Sequence, residues 1–441
     1  MTTTSNVALQ ELEETLQGVD RLHNPNHGPE FSLPPADSGK DAWLFLTACF
    51  ILEALIWGFP FSFGVFQEYY STHEPFSSDP SGIAVIGTTA TGIMYLFAVP
   101  LAVAYNKWSW LANASKWAGI PLMASGLVAA SFANNVKTLV MTQGVLYALG
   151  GAVVYSPALI FLDQWFVRRK GLAFGVMWAG TGVGGLTIPF IMNSLLSRFG
   201  FRTTLRIWAV TNLVLTSPFI YFLRPRLPVG PVSHSPRRGL NFLRTSTFWI
   251  LFIGLTAESL GYFIPGIYLP SFARALGLSP AIGTLLVALI NAAGVSGTVF
   301  MGWLIDRFHV ATIVLICSVG AAASVFLGWG LSNALPLLCI FSILYGFFAG
   351  GYVSTNAGFL KIIKQKDQST DVGALIGMLS AGRGLGALVS GPLSEALLRG
   401  SPWKGEADFG YGSGFGSLIV FTGVTATVGA AGFLGRRVGW V

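Results

Sequence analysis

With 53% hydrophobic and only 10% charged residues, the chain of 441 residues is much poorer in charge than soluble domains, which carry roughly a quarter. This composition indicates a lipid environment. The net charge of +7 does not indicate a nucleic-acid surface, because most charged residues fall in short gaps between apolar stretches.

Residues 1–41 are polar and acidic, and they contain no short apolar core with a small-residue cleavage site. We therefore predict no cleaved signal peptide and a disordered cytoplasmic tail over 1–41. Twelve apolar stretches then follow, each near the length of about 20 residues that spans a membrane as a helix. They cover residues 43–66, 83–105, 117–133, 138–161, 172–196, 204–223, 247–272, 281–304, 311–331, 335–359, 372–397 and 415–435.

The widest hydrophilic gap between these stretches follows the sixth and divides the chain into six plus six. We predict a six-helix bundle over 42–223, a cytoplasmic linker over 224–246 and a second bundle over 247–441. Lys and Arg are concentrated in alternate connections, which predicts a multi-pass protein with both termini in the cytoplasm. We expect the membrane to be the plasma membrane. Three arginines between 198 and 206 fall on the external side and are an exception to this rule.

Segments of the first half recur in the second half in the same order. The matching segments are 53–60 and 258–265, 146–151 and 344–351, and 171–184 and 373–386. The first pair shares an acid, an aromatic residue four positions on and a helix-kinking proline seven positions on. The repeat predicts an all-α membrane protein with twelve transmembrane helices in two pseudo-symmetric six-helix bundles.

The acids of that first pair are Glu53 and Glu258, which lie about 15–17 Å deep, near the middle of the membrane. Because a carboxylate is costly in hydrocarbon, we predict that both bind solute or protons; the alternative is a hydrogen-bonded acid that fastens helices together. Further candidates, aromatic or polar side chains within the same stretches, are Trp57, Tyr262, Asn291 and Asn356.

Arg383 is the one cation deep within a predicted span, at a depth similar to that of Glu258. Its counterpart in the first half is Thr181, so this charge belongs to one half only. A buried guanidinium suits bidentate capture of a carboxylate, and we predict that Arg383 anchors an anion. The alternative is a permanent ion pair with Glu258 or Glu395.

Gly302, Asp306 and Arg307 end the eighth stretch on the predicted cytoplasmic side. Charges there can link helix ends and hold one conformation, which makes these residues gating candidates; otherwise they form an ordinary positively charged loop.

Several motifs of other protein classes are missing or misleading. Gly180–Gly185 satisfies G-x-G-x-x-G, but no strand precedes it, and small residues for helix packing explain it better. Neither a Walker-type loop nor H-E-x-x-H nor G-x-S-x-G occurs, and the three cysteines lack metal-ligand spacing. We therefore predict no enzyme, no cofactor and no metal.

Six plus six helices, the repeat and the element Gly302-x-x-x-Asp306-Arg307 resemble the major facilitator superfamily. Residues 163–173 resemble the helix 4–5 signature of its monocarboxylate-porter-like members, which implies gating roles for Asp163, Arg168 and Arg169. Residues 57–68 and 382–392 resemble the fungal branch, whose members often look like exporters of secondary metabolites. Better-known porters carry a Lys where this chain has Phe61, and an Asp and an Arg near Gly294 and Thr298.

The sequence thus predicts a secondary active transporter that moves a small organic solute by alternating access, driven by an ion gradient. The solute would be an organic anion, resembling a monocarboxylate, or a secondary metabolite. The partners expected are that solute, the lipid bilayer and a coupled proton, with no nucleic acid and with the protein as a monomer. The alternative is a transporter-like sensor of solute without net transport.

Overall fold

Helices account for most of the computed structural model, which describes residues 34–78, 82–108, 110–227, 240–400 and 403–433. The first half holds α1 (Lys40–Phe61, continued by Phe63–Thr72), α2 (Ile83–Leu96 and Ala98–Lys107), α3 (Leu111–Ala130), α4 (Val136–Leu139, Val140–Leu146 and Tyr147–Trp165) and the long helix Lys170–Phe222, which is α5 before Gly200 and α6 after it. The second half holds α7 (Ser246–Tyr262 and Ile264–Ala275), α8 (Pro280–Arg307), α9 (Val310–Ala323 and Ser324–Trp329), α10 (Leu335–Tyr352 and Thr355–Lys366), α11 (Val372–Leu398) and α12 (Gly416–Val428).

Gly200 reverses the chain between α5 and α6. Its φ of 71° and ψ of 172° are not helical, and a glycine adopts such a φ without a steric penalty. The chain then returns to the level where α5 began, since the Arg224 carbonyl accepts a hydrogen bond of 3.0 Å from Trp165 Nε1.

Ten helical stretches among the described residues are long and apolar enough to cross a membrane, judged by length and composition. One of them, Lys170–Phe222, counts as two helices because of the reversal at Gly200. The remaining helix is α3, whose mean hydropathy is lowered by residues such as Asn113 and Lys116. Lys116 is buried nonetheless, and its Nζ donates to the Leu223 carbonyl. The predicted twelve-helix fold class is confirmed.

The prolines of the first repeat lie beside breaks in α1 and α7. The helix ends at Phe61 after Pro60 and restarts at Phe63, and α7 is interrupted at Phe263 just before Pro265. Both helices then run beyond the apolar stretches predicted for them, to Thr72 and Ala275. Polar residues of these extensions, Gln67, Glu68, Thr72 and Arg274, border two hollows.

The apolar cores of the two halves differ. The first half has one continuous cluster of buried side chains, which runs from Ala42 to Leu223. In the second half the buried apolar side chains form two clusters. Along α7 and α11 the gap between the clusters is filled by Glu258 and Arg383.

Of the tail predicted over 1–41, residues 1–33 lie outside the described residues, as do 228–239 of the predicted linker. Within residues 34–41, Asp37 contacts the connection between α4 and α5, and Lys40 and Asp41 begin the first turn of α1.

Candidate functional site

A cavity lies between the two halves at the depth of Arg383. Its volume, measured as the space open to the centres of water molecules, is about 110 Å³, and both halves contribute to its wall. The polar and aromatic side chains of that wall are Phe61, Phe63, Thr88, Thr91, Tyr95, Trp178, Thr181, Tyr262, Phe263, Asn291, Thr298, Tyr345 and Arg383. Arg383 is the one charged residue among the described residues that line it.

The guanidinium of Arg383 is desolvated and under-bonded. The residue is 1% exposed, and none of its three side-chain nitrogens has a hydrogen-bond partner among the described residues. The group lies over the Tyr262 ring, with 4.4 Å between the guanidinium carbon and the ring centroid. A buried cation with unmet donors in a cavity wall is a ready site for an anion.

Glu258 lies behind Arg383 rather than in the cavity wall. Its Oε2 is 3.7 Å from Arg383 Nη1, which makes an ion pair but exceeds hydrogen-bond distance, and Ser259 Oγ donates weakly to the same oxygen at 3.4 Å. The predicted alternative of a pair between Arg383 and Glu258 is therefore present as geometry. The pair leaves the guanidinium without a hydrogen bond of 3.5 Å or shorter among the described residues, and the Tyr95 and Tyr262 hydroxyls also interact with it.

Glu53 occupies the equivalent place in the first half, and its partner is a hydroxyl. It is 3% exposed, and its Oε2 accepts a hydrogen bond of 3.0 Å from Thr181 Oγ1. Its Oε1 is buried without a partner among the described residues. Thr181 itself lines the cavity, so Glu53 is joined to the cavity through one side chain.

Of the four remaining candidates for the cavity lining, two are in the cavity wall and two are not. Tyr262 and Asn291 are in the cavity wall, and Asn291 Nδ2 also donates to the Gly185 carbonyl of the other half at 3.1 Å. Trp57 lies behind Tyr95, with ring centroids 4.3 Å apart, and does not reach the cavity. Asn356 borders a separate small hollow.

The sequence interpretation did not single out Tyr95, Trp178 or Thr181 as site residues. Thr181 was signalled by the repeat, as the counterpart of Arg383. Nothing in the sequence indicates that Tyr95 and Trp178 line a site, because a single aromatic residue in an apolar stretch is typical of packing.

The connections 166–169, 308–309 and 367–371 lie together at one end of the protein, which we call the basic end after Arg168, Arg169, Lys170, Lys361 and Lys364. Here Asp306 of α8 reaches across to α5. Its two carboxylate oxygens accept hydrogen bonds of 2.9 Å each from the backbone N–H groups of Gly171 and Leu172. A carboxylate at a helix N-terminus is favourable, and this one ties the two halves together.

Gly302 and Gly171 bring α8 and α5 into backbone contact beside that link. A Cβ at Gly302 would lie 2.5 Å from the Gly171 carbonyl oxygen, which is closer than real contacts allow. The same holds in the other direction, from Gly171 to the Gly302 oxygen. The basic end is therefore closed by contacts that no larger residue would permit.

Asp163 adds an ion-pair network at this end. It pairs with Lys170 of its own half and, at 3.6 Å, with Lys364 of the other half. The side chains of Arg168, Arg169 and Arg307 are exposed and are not part of this network. Arg307 stacks instead on Trp303 of its own helix, at 4.0 Å.

Asp37, before α1, holds the connection between α4 and α5 from the first half. Its carboxylate accepts four hydrogen bonds of 2.9–3.0 Å from the backbone N–H groups of Val167, Arg168 and Arg169. Partial burial alone would raise the pKa of Asp37, but these backbone donors and the Arg169 charge lower it below its usual value.

The opposite end, which we call the Glu68 end, is more open. Two hollows there offer about 540 and 480 Å³ by the same measure as the cavity. Gly64 borders both hollows and the cavity, so a thin layer separates them. That layer includes the Phe61–Phe263 ring contact, at 6.2 Å, and lies beside the ion pair of Glu68 with Arg274.

No three His, Cys, Asp or Glu residues within the described ranges cluster as metal ligands would. The G-x-G-x-x-G segment instead packs helices. A Cβ at Gly180 would lie 2.2 Å from the Phe50 carbonyl oxygen of α1, and one at Gly185 would meet Asn291 of α8.

Curated fungal proteins are similar to this chain over most of its length. The "MFS transporter asaE" of Aspergillus flavus is 26% identical over 95% of this chain and 92% of its own. The "Fujikurins efflux protein" of Gibberella fujikuroi is 27% identical over 97% and 92%. The "Aspyridones efflux protein apdF" of Emericella nidulans is 27% identical over 88% and 78%.

Among solved structures, a bacterial homologue of the human lysosomal transporter Spinster has the same fold. It matches with a TM-score of 0.57 at 15% identity and covers 91% of this chain and 97% of its own. The family model described as Major Facilitator Superfamily matches residues 45–329 and 251–439. This twelve-helix membrane protein therefore belongs to the major facilitator superfamily of transporters.

Proposed function

We propose that the protein is a secondary active transporter of small organic anions, which it moves by alternating access between its two halves. The observation that carries this proposal is Arg383, a desolvated cation with unmet donors in the wall of a cavity between the halves. The aromatic side chains around it suit an apolar body on the same solute.

The pairing of Arg383 with Glu258 supports coupling to protons. Among the described residues, Glu258 is the one anion paired with Arg383. When the anionic group of a solute takes over the guanidinium, Glu258 becomes a buried carboxylate without a cation, which costs several kcal/mol unless it binds a proton. The organic anion and one proton then bind and cross together, and the sum of their two gradients sets the direction.

The contacts between the halves at the basic end are the ones that would form and break during alternating access. Asp306 on the α5 N-terminus and Asp163 with Lys364 close this end, while the Glu68 end is hollowed. In the alternate state these links across the halves must break. With the basic end cytoplasmic, as the concentration of Lys and Arg there favours, both termini face the cytoplasm of a plasma-membrane protein.

We assign the halves to 42–223 and 247–441, joined by a cytoplasmic linker over 224–246, and we take the monomer as the transporting unit. Two of the similar fungal proteins are named as efflux proteins of fujikurins and aspyridones. This likeness supports an acidic secondary metabolite as the solute and export as the direction.

The test measures the flux of aromatic carboxylates and sulfonates into proteoliposomes under an imposed pH gradient. Arg383→Gln should lower the flux of anions by about 10- to 100-fold, the weight of hydrogen bonds to a charged group. Arg399→Gln, an exposed arginine directly after the end of the same helix, is the matched control and should transport normally.

Normal anion flux in Arg383→Gln would remove the proposal. Binding of these anions without flux in the wild-type protein would instead favour a solute sensor.

A further inference from the structure

Glu53 and Thr181 form a two-residue unit that reaches the cavity from the first half. Thr181 Oγ1 donates its hydrogen to Glu53 Oε2, 3.0 Å away, while Glu53 Oε1 has no partner among the described residues. The two helices that carry them are in backbone contact, since Gly180 abuts the Phe50 carbonyl. The unit is therefore held in place by the packing of α1 against α5.

The surroundings of Glu53 leave its charge uncompensated. No Lys or Arg of the described residues forms an ion pair with it. The titratable groups that interact with it are Cys49 on its own helix, Tyr95 on α2 and Tyr155 on α4. Arg383 of α11 acts on those two tyrosines and is paired with Glu258.

A hydroxyl has one hydrogen and two lone pairs, so what Thr181 offers to the cavity depends on Glu53. With Glu53 ionised, the hydrogen of Thr181 is committed to the carboxylate and the cavity meets lone pairs. With Glu53 protonated, the acid donates its own hydrogen to Thr181 Oγ1. The hydrogen of Thr181 is then free to turn toward the cavity.

We propose that Thr181 is a specificity-determining residue whose hydrogen-bond polarity is set by a proton on Glu53. Protonation of Glu53 adds one proton to one carboxylate oxygen and converts Thr181 from an acceptor into a donor toward the solute. The solute class is then narrower than an organic anion. It carries an anionic group for Arg383 and, on the side of the first half, a neutral oxygen that accepts a hydrogen bond.

This inference rests on the proposed function for its ligand, but its first test needs no ligand. Infrared difference spectra of the protein in liposomes, recorded across pH, report protonated carboxylic acids. A carboxylic-acid carbonyl band that titrates should be absent in Glu53→Gln and shifted in Thr181→Val. Glu395→Gln, an exposed acid on α11, should leave this band in place. A band unaffected by Thr181→Val would overturn the inference.

The second test uses two probes of one shape, para-acetylbenzenesulfonate and para-isopropylbenzenesulfonate, with binding read from tryptophan fluorescence. Both stay ionised at all working pH values, and only the first has an accepting carbonyl oxygen. The wild-type protein should prefer the acetyl probe by about 2- to 10-fold at low pH, the weight of one hydrogen bond, and lose this preference as the pH rises.

Glu53→Gln should make the preference independent of pH, because its amide neither gains nor loses a proton. Thr181→Val should lose the preference, and Thr181→Ser should restore it. A preference that persists in Thr181→Val would overturn the inference. Arg383→Gln should lose binding of both probes, because both carry the sulfonate; this result tests the anion site and not Thr181. Absence of binding in the wild-type protein would count against the proposed function, and the infrared result would still decide the role of Thr181.

Discussion

The two halves place an acid at the same position and give it different partners. In the second half Glu258 faces Arg383 at 3.7 Å, and the pair interrupts the apolar core. In the first half Glu53 faces the hydroxyl of Thr181 at 3.0 Å, and the apolar core is continuous. The difference teaches that duplication supplied the scaffold, while one cation made the two sites chemically unlike.

A second contrast concerns the starts of α5 and α11, which are equivalent in the repeat. The first turn of α11 is capped by its own Asp371, whose Oδ1 accepts from the Ala374 N–H at 3.0 Å. The start of α5 receives Asp306 from the other half and Asp37 from before α1. Opening of the basic end would therefore remove a cap from α5, whereas α11 would keep its own.

The largest expected effect is on the charged pair. Glu258→Gln leaves Arg383 as a buried cation without its counter-ion, and breaking one side of such a pair costs about 3–5 kcal/mol. We expect a clear loss of thermal stability in detergent, measured by tryptophan fluorescence, together with loss of flux driven by a pH gradient. Addition of an arylsulfonate should restore part of the stability, because its anion replaces Glu258. An unchanged melting temperature would contradict the pairing.

The next effect concerns the link between the halves. Asp306→Asn removes a charge that accepts two backbone hydrogen bonds, each of which is worth about 1.5–3 kcal/mol when charged. The basic end should then open more often. In a cysteine-free background, Ser380→Cys, beside the hollow that Asn356 borders, should react faster with a maleimide.

Asp367→Asn is the matched control for that experiment. This acid lies at the same end and accepts hydrogen bonds from Ser369. It should leave the reaction rate unchanged. Equal acceleration by both variants would show that charge alone, and not the Asp306 link, controls the opening.

A smaller effect is expected at Asp37. Its pKa is lowered in the folded protein, so its contribution to stability is present above the ordinary Asp value of about 3.9 and is lost as the pH falls through the folded-state pKa. Asp37→Asn should cost about 0.5–2 kcal/mol, as the loss of a helix cap does.

Thermal stability of the wild-type protein and of Asp37→Asn should therefore differ by a constant amount between about pH 5 and 8 and converge below about pH 4. A difference that varies across neutral pH would show that another group controls it.

The smallest stability effect should come from Glu53→Gln. A neutral amide replaces an acid that has no cation, and it can keep a hydrogen bond with Thr181. The change in unfolding free energy should stay below about 1 kcal/mol, against several for Glu258→Gln. Melting curves of the two variants side by side sharpen the comparison of the halves. Equal losses of stability in the two variants would contradict the claimed difference between the halves.

The repeat made much of this architecture predictable. Two acids at corresponding depths, and one cation at the position that corresponds to Thr181 in the repeat, indicated a polar interior between two bundles. The structure places Arg383 in the cavity wall with Glu258 behind it. The positions where better-known porters carry charges, Phe61, Gly294 and Thr298, also line the cavity here, without charge.

Other features depend on contacts that spacing does not reveal. Asn356 misses the cavity because α10 is interrupted at 353–354, which changes the face that follows. Arg307 stacks on Trp303 one turn earlier, a local contact that competes with a link across the halves. Two of the three arginines that are exceptions to the charge rule bind locally at the Glu68 end, Arg202 to Asn134 and Arg206 to Ser131.

The most direct test of the account follows protons during the flux of a permanently ionised solute. With para-acetylbenzenesulfonate added outside proteoliposomes, a pH dye in the lumen should report that protons enter together with the sulfonate in the wild-type protein. The dye signal should vanish in Glu258→Gln. Protons that leave as the sulfonate enters, or proton movement that Glu258→Gln does not change, would contradict the shared use of Arg383 by Glu258 and the solute.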